Sequence, residues 1–440
     1  MSMTKLEEKV DNRTAKLGVI GLGMVGLPVA ALFADRGFQV VGVDVRRDRV
    51  AVINDGRMPM VGEEPGLPEM LAAVVRAGKL RATADYADLA DVDIFTINVE
   101  TPVDEQHRPD YRALEAACRS LGAVLKRGAL VIVESTVAPG TTERTVRPLL
   151  EKASGLKAHV DFFLGACPER VMPGKLLSNL RDVSRVCGGG TPETAALMLK
   201  LYRHVVNASL DAADTLTAEL VKTTENAYRD VQIAFANEVA LICESCGADV
   251  WRVRELVNKS PGRSMHLPGA GVGGHCIPKD PWLLAHAAQG DVPLRVIPAG
   301  RATNEAMPRH TLALLKDGLG AVGQTLAGAR VAVLGFSYLE ESDDSRNSPS
   351  EALIAELGAA GAKVVIHDPF VSEYAGDLTA ALTGADAAVL MVAHKVYRTL
   401  DLTALAATLA HPVLIDGRHV YDRARAREAG LVYRCIGTAA

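Results

Sequence analysis

The stretch GVGGHCIPKDPW, residues 271–282, places a thiol where a chain rarely buries one. Gly271, Gly273 and Gly274 lead into His275 and Cys276, and Lys279 and Asp280 follow at once. Glycines free the backbone to converge on a ligand or a developing oxyanion. A nearby ammonium lowers a thiol's pKa and a carboxylate orients a base, so the set reads as a cysteine nucleophile. The competing account, a cysteine used as a small buried hydrophobe, suits a polar, glycine-rich loop poorly. Lys222 and Asn226 stand four apart in AELVKTTENAY, with Glu219 and Arg229 nearby, so on a helix both project from one face. A solvated helix face accounts for that pattern equally well. Glu169 in CPERVMPG and Thr136 in ESTVAPGTTE each follow an apolar run. Both fall at the carboxyl end of an expected strand, where open α/β sheets place ligand contacts. Cys243 and Cys246 lie inside a helical stretch with no second pair beside them, and the 11 histidines show no metal-ligand spacing. No metal site is expected.

These side chains need elements to hold them. KLGVIGLGMVG, residues 16–26, reads as a strand, a tight turn and a helix start, with Gly21, Gly23 and Gly26 in G-x-G-x-x-G spacing. The first glycine allows the turn, the second admits a pyrophosphate, and the third lets helix and strand close up. Asp44 ends the next strand, where a carboxylate holds ribose hydroxyls, which favours NAD over NADP even though Arg46, Arg47 and Arg49 follow. Further strands are expected over 91–99 and 128–136, alternating with helices in a parallel sheet. Residues 211–245 hold no Gly or Pro and predict one long helix, closed by Gly247, that spans two domains or packs on a second subunit. From Arg330 the order repeats: RVAVLGFS echoes KLGVIGLG, AKVVIHD echoes FQVVGVD, and ADAAVLMVA echoes ADVDIFTIN. This is an internal duplication whose second copy has lost the glycine fingerprint and binds something other than a dinucleotide.

Composition narrows the classes. The 440 residues carry a net charge of −5 with both signs interspersed, which argues against a nucleic-acid or membrane surface. Aromatic content of 4% leaves little for base stacking. The charged N-terminus is no secretory signal and no apolar run spans a bilayer. Seven scattered cysteines fit reduced thiols, so a cytoplasmic location is expected.

Taken in order, GLGMVG, STVAPGTT, CPERVMPG, AELVKTTENAY, GVGGHCIPKDPW, SDDSRNSPS and DGRHV resemble the UDP-glucose/GDP-mannose dehydrogenases over nearly the whole chain. The resemblance implies an α/β protein: two Rossmann-like doubly wound parallel-sheet domains joined by a helical dimerisation core like that of 6-phosphogluconate dehydrogenase. The bounds expected are a tail over 1–15, an NAD-binding domain over 16–210, a helical domain with the cysteine loop over 211–310, and a UDP-sugar-binding domain over 311–440. It implies Cys276 as nucleophile, and Lys222 as base with an ordered water or as oxyanion partner. Asn226 and Asp280 assist, while Thr136 and Glu169 flank the reacting centre. NAD contacts are implied at Gly21, Gly23, Met24, Val25, Gly26, Asp44, Arg49, Thr101, Thr136, Lys279 and Arg346. Substrate contacts are implied at Glu169, Arg170, Val171, Lys222, Asn226, Arg263, His266, Gly269, Gly273 and Arg418, with Arg263 reaching across a homodimer.

The chemistry implied is a four-electron oxidation. An aldehyde has no second hydride to give until a nucleophile adds to it; a thiolate adds, a thiohemiacetal loses the hydride, and water opens the thioester. Two departures qualify the match. Leu339 stands where many members carry a lysine that touches the sugar nucleotide, so the diphosphate is anchored differently. CPERVMPG and GGHC differ from the UDP-glucose versions and point to UDP-N-acetylhexosamines, UDP-N-acetyl-D-mannosamine above all. UDP-glucose and UDP-N-acetylglucosamine oxidation are the alternatives. A two-electron β-hydroxyacid-type dehydrogenase would need neither Cys276 nor the second α/β domain, and an inactive NAD-binding scaffold would not keep the catalytic set intact.

Overall fold

The structure, a computed structural model, describes residues 2–60, 62, 64–288 and 290–439. The chain folds as two compact units, Met1–Glu225 with Trp282–Val292, and Asn226–Pro281 with Pro293–Ala440.

The first unit is built on strands β1 (Lys16–Ile20), β2 (Gln39–Val43), β3 (Leu80–Thr83), β4 (Ile94–Ile97), β5 (Leu130–Val133), β6 (Phe163–Ala166), β7 (Arg185–Gly189) and β8 (Leu210–Asp214). They form one sheet in the order β3-β2-β1-β4-β5-β6-β7-β8, parallel except where β6 meets β7. Apolar runs such as LVIV in β5, buried at every position, are what a sheet covered on both faces requires. The strand order reverses between β1 and β4, which opens a crevice beyond their carboxyl ends. Residues 3–11, assigned to a tail from the sequence, are instead a helix that buries Leu6 and Val10. Its Lys9 pairs with the buried Asp93 at 2.9 Å. The long helix begins at Thr215 and runs to Cys246, not from Asp211. Residues 210–214 pair with β7 as an edge strand, so ladder bonds override the weak strand propensity of Ala and Asp. Asp214 then accepts from the Thr217 N–H at 2.9 Å and holds the helix start.

The second unit carries β9 (Arg330–Leu334), β10 (Lys363–His367), β11 (Ala387–Leu390), β12 (Val413–Asp416) and β13 (Val432–Cys435). All are parallel, in the order β10-β9-β11-β12-β13. The echo read in the sequence extends to hydrogen bonds. Gly21 (φ +88°) and Gly335 (φ +95°) both turn the chain after the first strand of their copy. Each donates its N–H to the end of the next strand, Val43 O or His367 O, at 2.8 Å. The carboxylate that follows, Asp44 or Asp368, accepts from the turn: Leu22 N–H at 3.0 Å in one, Phe336 and Ser337 N–H at 2.7 and 2.9 Å in the other. Asp368 is fully buried and also takes the Phe370 and Val371 amides and the His394 ring. Glu341 N–H donates to His394 Nδ1, so Nε2 carries the proton. In the second copy this carboxylate is structural, with its acceptor capacity spent on the turn and the His394 ring.

Candidate active site

The glycine turn of the first unit has the shape of a phosphate cradle. A Cβ on Gly26 would lie 1.8 Å from Gly21 O, and one on Gly21 would lie 2.7 Å from Asn98 O, so both glycines are forced by packing. A Cβ on Gly23 would meet nothing within 4 Å. That is the pattern expected when the second glycine faces a ligand rather than the protein. Met24 and Val25 carry the turn into the helix Gly26–Asp35, whose N-terminus has no side-chain cap and so presents amides to an anion. Asp44, 5% exposed, accepts from Leu22 N–H and from Arg49 Nη1 at 2.9 Å on one oxygen, and from Arg46 N–H at 2.9 Å on the other. The second oxygen keeps acceptor capacity, so the cradle and the carboxylate fit NAD. Thr101 is buried and its hydroxyl donates to Thr136 O at 2.6 Å.

Glu169 follows β6 and is 8% exposed; Lys222 is also 8% exposed. Burial pushes the Glu169 carboxyl up, while the Lys222 charge and the Val171 amide pull it down. A carboxyl held above its ordinary range is suited to moving protons near neutrality. Arg170 grips Glu225 through two nitrogens, at 3.0 and 2.5 Å, and donates to Ser184 O. Beneath them lies a buried network that the sequence did not disclose. Arg185 pairs with Glu134 at 3.3 Å and stacks on the Tyr202 ring at 5.1 Å, and the Tyr202 hydroxyl donates to Glu134 at 2.6 Å. Glu134 follows β5, Arg185 opens β7 and Tyr202 lies on the helix Pro192–Arg203, so no local spacing reveals them.

In the second unit, Asp280 is fully buried and bridges two expected site residues. It accepts from Asn226 Nδ2 at 2.5 Å and pairs with Lys279 Nζ at 3.0 Å. Cys276 is exposed, and its carbonyl accepts from the Lys279 and Asp280 amides at 3.1 and 2.8 Å. The Cys276 backbone is therefore held in the turn that leads into the helix Asp280–His286. Burial drives the His275 ring down to about 4, helped by Lys279 and Arg346, so it is neutral at physiological pH. The glycines before it need a different account from the one the sequence suggested. A Cβ on Gly271 would lie 2.9 Å from Pro349, one on Gly273 2.6 Å from Tyr338, and one on Gly274 2.7 Å from the Tyr338 ring. Their space is filled by protein rather than left for a ligand. Asn347 Nδ2 donates to Gly274 O at 3.1 Å and Gly274 N–H to Arg346 O at 2.9 Å, so SRNSP latches the cysteine loop. Arg346 itself is clamped on Asp344 at 2.8 Å.

Gly269 and Arg418 meet: a Cβ on Gly269 would lie 2.9 Å from Arg418 Nη1. Arg418 Nε donates to Met391 O at 2.6 Å. His266 is half-buried and its carbonyl accepts from Arg254 Nε at 3.1 Å. Arg263 is exposed and donates to Pro261 O.

The first unit carries a nucleotide cradle and a buried carboxylate–lysine set, and the second a loop-borne thiol; each is what an NAD-dependent oxidoreductase requires. Models of the UDP-glucose/GDP-mannose dehydrogenase family match the chain in three consecutive parts: the NAD-binding domain over residues 15–206, the central domain over 216–306 and the UDP-binding domain over 332–423. The chain belongs to that family. It is 39% identical over 422 residues to the UDP-N-acetyl-D-mannosamine dehydrogenase of Pyrococcus horikoshii, covering 96% of this chain and 99% of that one. It is 36% identical over 435 residues to the NDP-N-acetyl-D-galactosaminuronic acid dehydrogenase of Ralstonia nicotianae, covering 94% and 98%. The solved structure of the Pyrococcus horikoshii enzyme superposes with a TM-score of 0.91 at 38% identity, over 96% of this chain and 99% of that one. No helix among the described residues is long and apolar enough to cross a membrane.

Proposed function

We propose that the protein oxidises the C6 alcohol of a UDP-N-acetylhexosamine, UDP-N-acetyl-D-mannosamine in the first place, to the acid. The observation that carries this reading is Cys276 on a tight turn beside the Asn226–Asp280–Lys279 cluster. NAD, held by Gly21, Gly23, Gly26 and Asp44, supplies the hydride acceptor for both oxidations. The Cys276 thiolate adds to the aldehyde carbon, forming a C–S bond and leaving charge on oxygen. In the first oxidation the alcohol's proton leaves through a water held by Lys222; after thiolate addition Lys222 balances the charge on the oxygen. After the second oxidation the carbon is a thioester. Water, deprotonated by Glu169, attacks it, and the C–S bond breaks to free the acid and the thiol. Asp280 holds Asn226 and Lys279 in place, and Thr136 lines the reacting centre.

The N-acetyl preference is supported by Arg170 and Pro173 in CPERVMPG and by His275 beside Cys276. The relatives named above also act on N-acetylated sugars. A pocket that hydrogen-bonds an acetamido group leaves polar atoms unpaired when glucose binds, at about 1–3 kcal/mol each, roughly tenfold or more in specificity. The domain reading stands with it: an NAD-binding domain over 16–210, a helical domain over 211–310 and a UDP-sugar-binding domain over 311–440. A homodimer formed on the long helix completes the proposal. Its Tyr228, Phe235 and Ile242 recur every seven residues and are 62, 60 and 56% exposed, an apolar stripe that a second subunit would cover.

The test is a panel of UDP- and GDP-sugars with NAD, read as NADH formed and as kcat/KM. Two NADH per sugar and a clear preference for UDP-N-acetyl-D-mannosamine over UDP-glucose are expected. One NADH per sugar would refute the four-electron mechanism, and equal kcat/KM values would refute the sugar. Sedimentation of the same preparation as an active monomer would refute the dimer.

A further inference from the structure

The loop from Ser135 to Thr142 leaves β5, carries Thr136 and is almost wholly buried. Its own backbone closes a turn, Thr141 N–H to Ala138 O at 3.1 Å, and side chains from three separate places tie it down. The Thr101 hydroxyl donates to Thr136 O at 2.6 Å. Tyr111 accepts Ala138 N–H at 2.8 Å and shares a hydrogen bond with Thr141 at 2.9 Å. The far end belongs to Glu219, which is 1% exposed. One oxygen accepts Gly140 N–H at 2.5 Å; the other accepts Thr142 N–H at 2.8 Å and the Thr142 hydroxyl at 2.6 Å. Gly140 takes φ +93°, a conformation only glycine holds cheaply, and turns its amide to the carboxylate. Past this point the chain makes a π-type turn, Thr142–Val146, a rare element that recurs at functional sites.

Glu219 and Lys222 are three residues apart on the helix Thr215–Cys246, one turn along the same face. We propose that Glu219 is a positioning residue: it locks the Thr136 loop to the helix turn that presents Lys222, and so fixes the spacing of those two groups in the active site. This inference rests on the function proposed above. Burial, with Glu143 adding to it, raises the Glu219 carboxyl to about 7 even though the donors from Thr142 and Gly140 pull it down. A carboxylate kept in so costly a place is held for its three donors.

Glu219→Gln keeps the volume but turns an amide NH2 toward one of the loop's N–H donors, and Thr142→Val removes only the hydroxyl bond. With Glu219→Gln, kcat should fall about 100-fold, as sub-ångström to ångström misplacement of reacting groups does. The KM for NAD should rise by much less than kcat falls, since the adenosine end of the cofactor is assigned to Asp44 and only its contact at Thr136 is moved. Thr142→Val should lose about tenfold in kcat, one donor of three. Wild-type kcat in Glu219→Gln would overturn the proposal, as would a loss in which the KM for NAD rises in step with kcat's fall. If Glu219→Gln does not fold, Thr142→Val at the same acceptor decides: unchanged kcat there overturns the proposal as well. Wild type on the same sugar is the reference, so a failure of the functional reading shows in wild type and a failure of this inference shows only in the variants.

Discussion

Asp44→Ala separates two jobs that one carboxylate performs. The side chain is 5% exposed and takes Leu22 N–H at 3.0 Å, Arg46 N–H at 2.9 Å and Arg49 Nη1 at 2.9 Å. Removing it leaves the amide of the fully buried Leu22 without its acceptor, at a cost of about 1–3 kcal/mol in stability. It also removes the remaining acceptor capacity proposed for the adenosine ribose. A hydrogen bond to a charged group is worth about 1.5–3 kcal/mol, so the KM for NAD should rise by about 10- to 100-fold. Arg49, released from its partner, should favour a 2′-phosphate, so the ratio of NADP to NAD use should increase. The assay is steady-state kinetics with either cofactor at saturating sugar, with Tm measured without cofactor. KM for the sugar should not change. If Tm falls while the KM for NAD stays within about twofold, Asp44 would be a turn cap like Asp368 and the nucleotide reading of this turn would be wrong.

Two further outcomes are expected. Cys276→Ser should bind both ligands nearly as wild type does but stall at the ester or hydrated-aldehyde stage, because a hydroxyl is the weaker nucleophile near neutral pH; wild-type steady-state turnover would end the nucleophile assignment. His275, held down to about 4, is neutral in the fold but takes a proton near its ordinary 6.5 when unfolded. Between those values the unfolded chain binds more protons, so stability should fall as pH drops. His275→Gln should flatten Tm against pH over that window, and an unchanged slope would mean the ring is solvated.

How far the sequence reached depends on the range of each interaction. The turn at Gly21 and the strands over Arg330–Leu334 and Lys363–His367 were legible because the fingerprint and the apolar runs are local patterns. The cysteine loop stood out for its residue types, but the reason for its glycines did not, since Tyr338 and Pro349 lie more than sixty residues further on. The edge strand Leu210–Asp214 was hidden for the same reason: its sequence reads as helix, and only the ladder with β7 makes it a strand. Glu219 is the sharpest case. In sequence it is one polar residue among several on a helix face, equally at home in solvent. Its three donors come from a loop 77 and 79 residues away, and only their convergence separates it from a surface glutamate. Residue type can nominate a nucleophile or a cradle, because that chemistry belongs to the residue. A positioning residue has no chemistry of its own to display, so it becomes visible only once its partners are in place.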